Sequence, residues 1–164
     1  MTCFFKPADI PEHTNRETST LLRIQKLGLS NILRAPKIHG FVEFQRASSR
    51  ISGILLEYIE HCNTLGHINI PTTPLPVRVK WINQLRNTIK MLHSAGIIWG
   101  DAKPDNILVD ADENLWIIDF GGGYTHGWVD EDKESTIDGD NQALFKIVDF
   151  LLDEAQNSVP HSVG

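Results

Sequence analysis

Residues 97–123 read "IIWGDAKPDNILVDADENLWIIDFGGG". Asp101, Lys103, Asn106 and Asp119 lie within nineteen positions, at turns beside runs of Ile, Leu and Val. The segments 106–109 and 115–119 read as two short strands joined by the turn "DADEN", a hairpin whose open end brings Asn106 and Asp119 close together. Taken singly, each of these residues suits a turn or a strand end, Asp101 and Asn106 around Pro104 and Asp119 after its strand. Their joint spacing is what calls for a further reading.

Working outward, the chain has 164 residues, enough for one domain with a real core, and 41% of them are hydrophobic, ordinary for a globular protein. Fifteen basic against twenty-one acidic side chains leave a charge of −6. That balance argues against a nucleic-acid or anionic-membrane surface as the main business. Cys3 and Cys62 stand far apart with no C-x-x-C spacing and read as free thiols. His61, Cys62 and His67 fit no zinc pattern and read as surface residues. The start, "MTCFFKPADI", lacks a basic leader followed by a long apolar run, so no signal peptide is expected. The apolar run at 51–59 is interrupted by Ser52, Gly53 and Glu57 and cannot span a bilayer. An intracellular, cytoplasmic protein is the expectation.

Before the hairpin, "TCFFK" at 2–6 reads as a strand stopped by Pro7. "TNRETSTLLRIQKLG" at 14–28 reads as a helix, with Leu21, Ile24 and Leu27 at helical spacing and Gly28 as its stop. Strands follow at 37–44 and 50–59 around a polar loop at 45–50, and a proline-rich connection covers 63–76. A long helix over 77–95 places Val77, Trp81, Leu85, Thr88 and Leu92 on one face and Arg78, Lys80, Arg86 and Lys90 at polar positions. After the hairpin, 121–139 reads as loop, with a turn at Asp138-Gly139 and a solvated "DEDKE". A last helix covers 140–155. There is no internal repeat.

On that layout the opening stretch acquires a chemistry. An amide oxygen from Asn106 and a carboxylate from Asp119 suit a hard cation such as Mg²⁺. Asp101 can face an incoming hydroxyl, and Lys103 can neutralise a phosphoryl group in flight. Positioning and charge stabilisation of this kind are what phosphoryl transfer requires.

"WGDAKPDN" followed by "IDFGG" resembles the catalytic loop and metal-binding turn of the protein-kinase superfamily, patterned H-R-D-x-x-x-x-N and then D-F-G. D-F-G alone is a weak tripeptide; joined to D-x-K-P-x-N across a hairpin it is a specific signal. The resemblance implies Asp101 as catalytic base, Lys103 as loop lysine, and Asn106 and Asp119 as the metal-holding pair. Upstream, Lys6 is similar to the strand lysine that contacts the α and β phosphates of ATP, and Glu17 to its salt-bridge partner. "LLEYI" looks like the hinge, with Leu56 in the gatekeeper position and the backbone of Glu57 and Ile59 facing adenine. Asp140 resembles the buried aspartate that anchors the catalytic loop. The match covers roughly residues 2–152, and the short layout is similar to kinase-like proteins of filamentous fungi.

The fold so implied is α+β, a reduced two-lobe arrangement. Residues 1–60 form a small lobe of about three strands and one helix; residues 61–164 form a larger, mainly helical lobe carrying the catalytic hairpin. The activity implied is ATP- and Mg²⁺-dependent phosphoryl transfer to a hydroxyl, most simply of protein Ser/Thr. A small-molecule phosphotransferase of the aminoglycoside or choline type, and a non-catalytic kinase-like binding module, are the alternatives. The chain begins inside the family's third strand, so the Gly-rich phosphate loop is missing and weaker ATP binding is expected. Trp99 and Gly100 stand where His and Arg are usual, so phosphorylation at Ser135 or Thr136 is expected to lack its arginine partner. No A-P-E follows the metal turn. The chain stops soon after the last helix, leaving an apolar helix surface that invites a partner or aggregation.

Two residues carry a competing local reading. Thr14 three residues before Glu17 makes a capping box, which would occupy the glutamate at the helix start. Asp140 before "NQALFKIV" suits a helix N-cap, a role compatible with anchoring a loop.

Overall fold

Two three-stranded antiparallel sheets and three helices make up the computed structural model over the described residues, 2–43 and 51–153. The loop expected at 45–50, Phe44 beside it and the last two residues of the expected C-terminal helix lie outside them. The elements are β1 (Cys3–Pro7), α1 (Pro11–Lys26), β2 (Ile38–Glu43), β3 (Ile51–Glu57), β4 (Asn63–Thr64), α2 (Leu75–Ser94), β5 (Ile107–Val109), β6 (Leu115–Ile117) and α3 (Ile137–Leu152). This is the expected α+β architecture.

The first sheet has the order β1-β3-β2, with β3 central. Lys6 stands opposite Ile54 and Pro7 opposite Gly53. A Cβ on Gly53 would meet the Lys6 carbonyl at 2.6 Å, so the glycine lets β1 seat on its neighbour. In β2 the residues Ile38, Gly40 and Val42 face inward and alternate with exposed ones, as a half-buried strand requires.

α1 covers this sheet. Its buried residues are Glu17, Leu21 and Ile24, an i, i+4, i+7 stripe. The helix starts at Pro11, three residues before the expected start, because proline at the first position has no N–H to lose there. Thr14 therefore sits inside the helix and donates its hydroxyl to the Ile10 carbonyl. The capping box does not form, and Glu17 is free to face the sheet.

In the second half the order is β4-β5-β6. β4 is only two residues long and falls in the expected connection, where no alternation marks it. α2 buries Arg78, Trp81, Ile82, Leu85, Ile89 and Leu92. Arg78 departs from its expected polar position: its guanidinium donates to the carbonyls of Thr73 and Leu151, the latter at the C-terminal end of α3. A cation there meets the negative end of the helix dipole and carbonyls that lack helical partners.

α3 begins at Ile137, capped by Thr136, whose hydroxyl oxygen accepts from the Gly139 N–H at 3.0 Å. Asp140 is thus not the N-cap, and Asp138-Gly139 belongs to the helix rather than to a turn. With Ala143, Ile147 and Leu151, Asp140 heads the buried stripe of α3. The outer face leaves Phe145 68% exposed. No helix among the described residues is long and apolar enough to cross a membrane.

The β5–β6 turn is built on Asp110. Its carboxylate accepts from the N–H groups of Asp112 and Asn114 and from the indole of Trp116. Desolvation opposes the charge, but these hydrogen bonds outweigh it and hold the carboxyl below the usual aspartate range. A depressed folded-state pKa stabilises the fold above the ordinary aspartate value and loses that stabilisation as pH falls. Asp110→Ala should therefore cost about 1 kcal/mol at neutral pH, the low end for a lost acceptor because water reaches the turn. In urea titrations the gap from wild type should close as the pH is lowered below about 3.9.

Candidate active site

Lys6, Glu17 and Asp119 meet at one point. Lys6 Nζ lies 2.6 Å from Glu17 Oε2 and 3.0 Å from Asp119 Oδ1, so β1, α1 and the turn after β6 converge on one ammonium. Glu17 is 1% exposed. Burial pulls the Lys6 pKa down, yet the two carboxylates outweigh it and leave it above the usual lysine value. Burial, with the nearby Asp119 charge, raises the Glu17 pKa against the lowering pull of Lys6. The result is a protonated lysine with one buried and one half-exposed acidic neighbour.

That point lines a cleft of about 340 Å³, whose lining also includes Phe4, Leu56, Glu57, Ile59 and Leu108. The five residues expected at a nucleotide, Lys6, Glu17, Leu56, Glu57 and Ile59, all line it, together with Asp119. Along the expected hinge, the Glu57 N–H is spent on the Lys37 carbonyl at 2.7 Å.

The second cluster lies on the loop after α2. Asp101 accepts through Oδ2 from Lys103 Nζ at 2.8 Å and through Oδ1 from the Thr125 hydroxyl at 3.0 Å. Lys103 also donates to Thr125 at 2.8 Å, closing a triangle. Asn106 turns its amide nitrogen toward Asp101, donating to the backbone carbonyl at 2.8 Å and to Oδ2 at 3.1 Å. The donor atom this leaves for a hard cation is Oδ1. Asn106 ends a short 3₁₀ turn, Pro104–Asn106, and its carbonyl accepts from the Ile118 N–H at 3.0 Å. That bond draws the hairpin's open end together next to Asp119. Asp119 itself has a φ of 61°, a left-handed conformation that Asp tolerates better than most side chains. Thr125 gave no signal in sequence, because a threonine in a long loop has no periodicity to mark it.

Asp140 holds this loop from behind. Its Oδ2 accepts from the Trp99 N–H at 2.8 Å and its Oδ1 from the Gly100 N–H at 2.8 Å, while His93 Nε2 lies 2.9 Å from Oδ2. Trp99 is 1% exposed and donates its indole N–H to the Ile118 carbonyl. It fills the expected histidine's place and also ties the loop to the residue before Asp119.

From α1, Arg16 reaches across to the same region. It donates to the carbonyls of Ile98, Trp99 and Phe120. Burial lowers its pKa, opposed by Asp140, Asp119 and Glu134. A Cβ on Gly122 would lie 2.9 Å from Ser135 Oγ and 3.1 Å from Arg16 Cδ. The Arg16 stem and the Ser135 hydroxyl thus border the same glycine, while the Arg16 guanidinium is engaged by the loop carbonyls. Thr136 is engaged instead as the cap of α3.

A family model described as protein kinase domain matches residues 9–127, more than half of the chain. The chain belongs to the protein kinase family. CBL-interacting protein kinase 10 of Oryza sativa subsp. japonica is 30% identical over 97 residues, 59% of this chain and 21% of that protein. Serine/threonine-protein kinase PKH3 of Eremothecium gossypii is 43% identical over 60 residues, 37% of this chain and 8% of the relative. Casein kinase II subunit alpha' of Saccharomyces cerevisiae is 33% identical over 95 residues, 57% and 27% respectively. The kinase domain here thus spans between 8% and 27% of the length of these relatives.

Within this kinase domain Asp140→Ala removes a 1% exposed carboxylate and strands two backbone N–H groups. The expected loss is about 2–5 kcal/mol, read by denaturant titration. Asp140→Asn, which keeps one acceptor oxygen, should lose distinctly less.

Proposed function

We propose that the chain catalyses phosphoryl transfer from ATP to a hydroxyl, with protein serine or threonine as the acceptor. The observation that carries this reading is a cleft lined by Lys6, Glu17 and Asp119, tied through the Asn106–Ile118 backbone bond to the loop that presents Asp101 and Lys103. The cleft offers apolar walls for a purine and a cation for its phosphates.

In this reading Leu56, Glu57 and Ile59 flank the adenine. Glu57 takes part through its carbonyl, since its N–H is already committed to Lys37, and Ile59 through its N–H. Lys6 neutralises the inner phosphates while Glu17 keeps its ammonium aimed into the cleft. Asp101 orients the acceptor hydroxyl and takes its proton. Lys103, already beside Asp101, offsets the charge that develops on the moving group. Asn106 Oδ1 and the Asp119 carboxylate form a two-oxygen donor set of the kind that binds Mg²⁺ together with phosphate and water. When bound, the cation would shield the phosphate charges and fix their geometry.

The Thr125 hydroxyl on Asp101 favours a hydroxyl acceptor, because the carboxylate already accepts from one at 3.0 Å. Calorimetric titration tests the reading. ATP should bind wild type at least about tenfold tighter (about 1.4 kcal/mol) with Mg²⁺ than without. Asp119→Asn should erase that difference while leaving the fold intact. A folded wild type that takes up no nucleotide at millimolar ATP sinks the proposal and leaves a kinase-shaped binding module.

A further inference from the structure

Gly100 stands where the family's loop pattern has arginine. Its φ is 98°, and a Cβ there would collide with the guanidinium of Arg16. On the other side, the Cβ position of Gly122 is flanked by Arg16 Cδ and Nε, each at 3.1 Å. Two glycines thus open a slot, one immediately before Asp101 and the other three residues after Asp119. The side chain that fills it comes from α1.

The bonds that Arg16 makes inside the slot span two separate segments. Nη1 donates to the Trp99 carbonyl at 3.1 Å and to the Phe120 carbonyl, and Nη2 donates to the Ile98 carbonyl at 3.3 Å. Trp99 is two residues before Asp101, and Phe120 directly follows Asp119. A planar guanidinium with five N–H donors can serve both segments together; an ammonium is a point charge without that fork. Asp119 holds a left-handed φ that surrounding structure must enforce. Arg16 also adjoins Glu17, the partner of Lys6, so the placement of α1 determines both contacts.

We infer that Arg16 is a positioning residue for the proposed phosphoryl transfer: from α1 it supplies the guanidinium that the catalytic loop lacks, and it locks the loop bearing Asp101 to the turn bearing Asp119. The inference rests on the phosphoryl-transfer reading for its effect on rate, and on geometry alone for its effect on order. Any displacement of α1 then loosens Lys6, Asp101 and Asp119 at once.

The test compares wild type, Arg16→Ala and Arg16→Lys by thermal unfolding, by hydrogen exchange and by ADP formation from MgATP with a generic Ser/Thr peptide. Arg16→Ala should lower kcat roughly ten- to hundredfold, the scale of an ångström-sized misplacement, with little change in KM for ATP. Exchange should accelerate at 97–101 and 119–123. Millimolar methylguanidinium should restore kcat to Arg16→Ala without moving its unfolding temperature, whereas urea and Arg16→Lys should not. A folded Arg16→Ala with wild-type kcat and wild-type exchange overturns the inference. So does a loss of kcat that methylguanidinium leaves untouched and that follows the unfolding temperature. If Arg16→Ala does not fold, Gly100→Ala displaces the guanidinium with the arginine retained; the same two segments should loosen, and unchanged exchange there overturns the inference. If wild type neither binds nor turns over MgATP, the phosphoryl-transfer reading fails by itself. Exchange at the two segments still decides whether Arg16 locks them.

Discussion

Three donors converge on the carboxylate of Asp140: the N–H groups of Trp99 and Gly100 and the ring of His93. A carboxylate 1% exposed is tolerable only when its lone pairs are used, and here the donors come from α2 and from the loop that follows it. That requirement places the loop against the head of α3 before any substrate is present. Asp101 follows Gly100 directly, so its position is inherited from this buried anchor. Lys103, Thr125 and Asn106 then arrange themselves around Asp101.

Two carboxylates at the heads of two buried helix stripes do parallel work. Glu17 leads Leu21 and Ile24 on α1, and Asp140 leads Ala143, Ile147 and Leu151 on α3. The apolar residues behind each carboxylate supply the burial energy that dehydrates it. Once dehydrated, each acts as a strong, directed acceptor, Glu17 for Lys6 and Asp140 for the loop backbone. The departures from the family pattern at 99 and 100 are accommodated in two ways. The Trp99 indole reaches the Ile118 carbonyl, and Arg16 enters the slot that Gly100 leaves.

Much of this was legible from residue order because the informative signals are local. The spacing of Asp101, Lys103, Asn106 and Asp119 needs only a loop, a hairpin and a turn. The hairpin needs only "NILV", "DADEN" and "LWIID". Glu17 was ambiguous for a physical reason: a capping box and an ion pair demand different helix starts, and Pro11 settled which start occurs. Arg78 looked like a solvated position because periodicity reports side-chain polarity and says nothing of the carbonyls at the end of another helix. β4 escaped because two residues carry no alternation, and its strand character comes from pairing with Val109 and Leu108.

The α+β layout, the helical stripes, the β5–β6 hairpin and the kinase-type spacing of the polar residues all follow from residue order, since each depends on propensity and period over a few neighbouring positions. Packing between distant elements is what sets Arg16 in the space opened by Gly100 and Gly122, the Thr125 hydroxyl on Asp101, and Asp140 toward the loop instead of the start of its own helix. These contacts join residues far apart in the chain. Their geometry is set by how buried helices and sheets pack, and no local pattern encodes which distant carbonyl or carboxylate a side chain will meet.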